Sequence, residues 1–124
     1  MTLQVMDGPL GPRHGAVDAG HAELALPFHD DIVTIGKVVH GGALATIIDT
    51  AAMTAAWAGA DVPERLQGAT VSLSVNYLAS AEGEDVTATA RVIRRGGRLT
   101  NVQVDVHTPD GQSIATALVT YQLG

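Results

Sequence analysis

Asp49 is the only Asp, Glu, Lys or Arg between Lys37 and Asp61, and it stands inside a run rich in alanine. Taking an isolated carboxylate out of water is costly, so such a group is ordinarily paired, neutralised or absent. Aspartate also gains nothing from a helix interior. A carboxylate kept there is a candidate nucleophile, or a base that draws a proton from water. Nine residues earlier stands His40, followed by Gly41 and Gly42. Two glycines let a ligand come close to the backbone. If a helix begins here, its first N–H groups lack intrahelical partners and carry the positive end of the dipole. They could hold a carbonyl oxygen that becomes negative during acyl transfer. The plainer alternatives are that Asp49 faces a solvent gap or a core arginine, and that Gly41-Gly42 is only a flexible entry.

The elements that must position these residues can be read from spacing. Gly41 to Ala60 is the one long helical stretch, without proline and with Gly59 and Pro63 at its end. Ile47, Ile48, Ala51, Ala52, Met53, Ala55 and Ala56 surround its axis, so the helix is expected to be apolar all round and buried. Ala22 to Leu26 reads as a first short strand. After the helix the sequence alternates with period two: Val71, Leu73, Val75 and Tyr77 on one face, with Thr70, Ser72, Ser74 and Asn76 on the other. Val86 to Val92, Val102 to Val106 and Ala115 to Tyr121 repeat the pattern, separated by Glu82-Gly83-Glu84, Gly96-Gly97 and Pro109-Asp110-Gly111. The expectation is an α+β fold: four successive strands in a meander, about five in all, wrapped round one long central helix. One domain spans 1–124, with 1–20 a loose, Gly- and Pro-rich lead-in.

Composition narrows the function. The chain has 124 residues, 46% of them hydrophobic, and only four aromatic: Phe28, Trp57, Tyr77 and Tyr121. A formal charge of −6 with no aromatic-and-basic stripe argues against nucleic acid and against an anionic membrane surface. With no cysteine there is no disulfide, thiolate metal site or thiol nucleophile, which suits a reducing, cytoplasmic setting. His14, His21, His29 and His107 have no metal-ligand spacing, so no metal or other cofactor is expected. The stretch Ala43 to Ala58 is too short and too polar to span a bilayer. Arg94, Arg95 and Arg98 cluster at one turn, as solvated residues or as a contact for phosphates.

The run from Val39 to Ala51 closely resembles the signature of hotdog-fold thioesterases of the phenylacetic-acid-degradation (PaaI-like) type, with His-Gly-Gly at the helix start and an acid nine residues after the histidine. Thr70 to Leu78 and Arg91 to Arg98 resemble that family's next strand and hairpin. The resemblance implies an acyl-CoA thioesterase. Asp49 would be nucleophile or general base, the Gly41 or Gly42 N–H would polarise the thioester carbonyl, and His40 would shape that end of the site. It places substrate contacts at Gly42, Thr34, Thr50 and Asn76, and CoA contacts at Arg94, Arg95 and Arg98. It also implies a homodimer with sites at the interface, often paired into a homotetramer. Two positions depart from the pattern: Thr34 stands where relatives often have Asn or Gln, and Met53 where some have Ser or Thr. The competing readings are a non-catalytic acyl-CoA binding protein and a hotdog hydratase, although Asp31 and His40 lack the hydratase's spacing and its Asn-Pro element.

Overall fold

The computed structural model describes residues 13–28, 36–60 and 68–123. Six strands and one helix follow in the order β1 (Arg13–Asp18), β2 (His21–Leu26), α1 (Gly41–Trp57), β3 (Gly68–Tyr77), β4 (Val86–Arg95), β5 (Leu99–His107) and β6 (Ser113–Leu123). They form one antiparallel sheet in the spatial order β1-β2-β4-β5-β6-β3, curved round α1. Among the described residues the sheet thus has six strands rather than about five. The extra one is β1, which corrects the expected lead-in: the sequence around it is Gly-rich, but its backbone pairs along β2 from Arg13↔Ala25 to Asp18↔His21.

The core follows the period-two pattern. Leu24, Leu26, Val86, Ala88, Ala90, Val102, Val104, Val106, Ala117 and Val119 are buried on the face turned to the helix. Against them lie Leu44, Ile47, Ile48, Ala51, Ala52, Ala55 and Ala56 of α1. The alanines let helix and sheet approach closely, while burial of each Leu or Ile contributes roughly 1.5–3 kcal/mol. Thr46, Thr50 and Thr54 donate their hydroxyls to the carbonyls four residues back, each at 2.9 Å, so the helix buries Thr50 and Thr54 without orphaning a polar group.

Two expectations about the strands are corrected. β4, β5 and β6 do form a meander, but β3 does not lie beside β4. β2 already occupies that edge of β4, so β3 pairs with β6 at the opposite end of the sheet. The chain must then cross from that edge back to β4 in the interior of the sheet, and the crossing segment meets the residues just before the helix. On the way Leu78 and Ala79 donate to the Ile114 carbonyl, and Ala81 accepts from Val39 at 2.8 Å. A bridge between Val38 and Glu82 completes the seat of the helix N-terminus.

The second correction concerns side-chain direction. In β3 the register slips between Thr70, opposite Tyr121, and Ser72, opposite Thr120. The extra residue is Val71, and it breaks the alternation as a β-bulge does. Thr70 therefore lies on the helix side, together with Leu73, Val75 and Tyr77, and not with Ser72, Ser74 and Asn76. A like slip in β4, between Val92 and Arg94, sends Arg94 outward and Arg95 inward. At the β5–β6 turn, the Thr108 hydroxyl donates to Asp110 and holds its carboxyl below the usual carboxylate range.

Candidate active site

The helix is not covered all round. Ala43, Leu44, Ile47, Ile48 and Ala51 are buried, but Gly42 is exposed, and Ala45, Thr46, Asp49, Met53 and Trp57 are only half-buried. The last-named residues recur every three to four positions, so they lie along one side of α1. This corrects the expectation of a fully enclosed helix. The carboxylate sits midway along the open side, where the helix meets the outer strand β3. Its Oδ1 accepts from the Thr70 hydroxyl at 2.6 Å. Among the described residues, Oδ2 has no partner. The carboxylate is therefore oriented by one hydrogen bond with its second oxygen left open, an arrangement suited to attack on an electrophile or to taking a proton from water.

Eight residues earlier in the helix is Gly41, its first residue after the cap His40. His40 Nδ1 accepts from the Gly42 N–H at 2.8 Å, and the His40 carbonyl accepts from Ala43 and Leu44. An accepting Nδ1 carries no proton, so in the neutral ring the proton is on Nε2. Glycine at 42 is what lets the imidazole come so close, since a Cβ there would sit 3.0 Å from Nδ1. Its N–H is thereby committed to the cap and withdrawn from the substrate. That leaves the Gly41 N–H, which has no acceptor among the described residues. The Gly41 carbonyl in turn accepts from the Tyr77 hydroxyl at 3.0 Å.

The remaining expected site residues scatter. Thr50 is buried with its hydroxyl given to Thr46, so it faces the core and not a ligand. Asn76, opposite Thr116, lies on the outer face of the sheet in a shallow groove with Ser74, Gln103 and Leu118, away from Asp49. The arginine cluster is split by the β4 bulge. Arg94 and Arg98 share a depression at the β4–β5 turn, while Arg95 turns under the sheet and donates to the Ala56 and Ala58 carbonyls at 2.8 and 3.3 Å. Arg95 thus caps the end of the helix while its side chain remains exposed. Thr34 falls outside the described residues. The sequence reading missed Thr70, because strict alternation puts it on the wrong face, and it treated Tyr77 only as part of a strand's apolar face.

Gly41 and Asp49 lie on one helix but are eight residues apart. At about 1.5 Å per residue they are separated by about 12 Å along the axis. An oxyanion donor works at about 3 Å from the oxygen, and an attacking atom at about 3.5 Å from the carbon. A single subunit therefore cannot bring both groups to one carbonyl.

The thioesterase superfamily matches residues 36–115 of the chain. A medium/long-chain acyl-CoA thioesterase of Escherichia coli, YigI, is 30% identical over 114 residues, covering 80% of this chain and 74% of that protein. A candidate esterase of Halobacterium salinarum is 37% identical over 93 residues, covering 73% of this chain and 61% of its own length. In fold, the PaaI protein of the Escherichia coli phenylacetic-acid-degradation operon superposes with a TM-score of 0.83 at 20% identity, over 93% of this chain and 80% of that one. The sequence match runs from just before His40 to Ala115, and the fold agrees along nearly the whole chain: the protein belongs to the thioesterase superfamily, in its hotdog-fold form.

Proposed function

We propose that the protein hydrolyses an acyl-CoA thioester to the free acid and CoA, working as a homodimer. The observation that carries this reading is the Asp49 carboxylate, oriented by Thr70 on the open side of an otherwise apolar helix. The Gly41 N–H polarises the thioester carbonyl from the helix N-terminus, and His40 holds that turn in shape. Asp49 acts in one of two ways. As nucleophile it attacks the carbonyl carbon, the C–S bond breaks, CoA leaves as thiolate, and water hydrolyses the resulting anhydride. As base it takes a proton from water, whose oxygen attacks instead. Arg94 and Arg98 supply positive charge for the CoA phosphates.

The distance between Gly41 and Asp49 favours a site shared by two subunits, one giving the amide and the other the carboxylate. Strand β3 is the edge that suits such a pairing. It is ten residues long, pairs on one side only among the described residues, and carries no charged residue or proline. Sheets usually protect such an edge with lysine, proline or a bulge. Here the bulge lies at Val71, and the stretch from Leu73 to Tyr77 stays regular and open. Two further parts of this reading are a tetramer of such dimers, supported by the open outer sheet face around Leu118, and a cytoplasmic location, supported by a composition without cysteine.

A thiol-release assay over a panel of acyl-CoA esters tests the activity. The wild type should release CoA, and Asp49→Asn should lose at least about 10³-fold in kcat while still binding acyl-CoA. Equal, negligible release by both proteins, with binding intact, would replace the enzyme by a non-catalytic acyl-CoA binding protein.

A further inference from the structure

The peptide unit that joins Gly41 to Gly42 is gripped at both ends. Its N–H is held by His40 Nδ1 at 2.8 Å and its C=O by the Tyr77 hydroxyl at 3.0 Å. Glycine has the widest backbone freedom of any residue, so two in succession make the softest entry a helix can have. An amide that must meet a developing oxyanion cannot be soft, because such stabilisation depends on donors already in place before the charge forms. The ladder within α1 begins to constrain the Gly41 carbonyl through its i→i−4 bond. The N–H of Gly41 itself, on the preceding peptide, is oriented by the Gly41 dihedrals. Tyr77 bears on those dihedrals from outside the helix. It comes from β3, whose partner β6 is anchored in the core, and its ring lies against Gly41, 3.6 Å from where a Cβ would be.

We propose that Tyr77 is a positioning residue for the reaction: by clamping the Gly41 carbonyl from strand β3, its hydroxyl fixes the direction of the Gly41 N–H that receives the thioester oxygen. This rests on the proposed hydrolysis. It goes further by coupling the edge strand to the oxyanion donor, so that the surface offered to a partner also tunes the chemistry. It also accounts for a polar hydroxyl that follows Leu73 and Val75 on the helix-side face of the strand.

Tyr77→Phe removes the hydroxyl and keeps the ring. Its kcat/KM should fall about five- to tenfold, as expected for loss of one hydrogen bond that orders the carbonyl donor. Binding of two unreactive CoA derivatives, followed by calorimetry, separates positioning from general damage. One is a ketone analogue, with a methylene in place of the thioester sulfur, and it keeps the carbonyl oxygen. The other is an S-alkyl thioether, which has none. Tyr77→Phe should weaken the ketone several-fold and leave the thioether unchanged. Equal loss for both, or no loss for either, overturns the proposal. If the wild type hydrolyses no thioester, the activity reading fails by itself, and the comparison of the two analogues still decides whether Tyr77 orders a carbonyl site.

Discussion

Gly41 offers the sharpest single-residue test, because its backbone N–H can be removed with little else. It is the first helical residue, a position that tolerates proline, and His40 before it is already extended at φ −64°, ψ 134°. A Cβ at Gly41 would make only ordinary contact with Tyr77. Gly41→Pro should therefore fold, with circular dichroism like the wild type, and lose about 10²–10³ in kcat. A proline variant with full activity would take Gly41 out of the reaction. At this scale Asp49 was legible in the sequence, since a lone carboxylate among alanines stands out whatever the fold. The division of labour between the two glycines was not. It depends on His40 folding back onto the Gly42 amide, a contact that no spacing rule records. Thr70 was hidden for another reason: it reaches Asp49 only because Val71 adds one residue to its strand.

The helix is held at its two ends by different devices, and each predicts a different response. At the C-terminal end, Arg95 meets the Ala56 and Ala58 carbonyls, where the dipole favours a cation. Arg95→Gln should cost about 1 kcal/mol, lowering Tm by roughly 3–6 °C, without changing KM for acyl-CoA. Arg98→Ala, at the neighbouring turn, should raise KM and leave Tm nearly unchanged. If Arg95→Gln raised KM at constant Tm, the capping role would be wrong and the arginine would belong with the CoA contacts. Periodicity gave the helix and strands β4, β5 and β6 to within a few residues. It could not show where a strand slips, because a bulge changes the count without changing the residue types. Nor could it show that β3 joins β6, since that choice depends on β2 already holding the edge of β4.

On the scale of the whole molecule, a shared site predicts rescue between two dead proteins. Gly41→Pro leaves Asp49 intact, and Asp49→Asn leaves the Gly41 amide intact. When both chains are co-expressed, each mixed dimer contains one site with both defects and one with neither. A random mixture should then recover about a quarter of wild-type activity, since half of the dimers are mixed and half of their sites are whole. Recovery near zero, with mixed dimers present, would mean that each site belongs to a single chain.

The helical rise that separates Gly41 from Asp49 has a further consequence for how the protein behaves on dilution. In the proposed shared site neither half of the reacting pair is of use to a solitary chain, so specific activity should decline as the protein is thinned below its self-association constant. It should return on reconcentration, with no unfolding at either step.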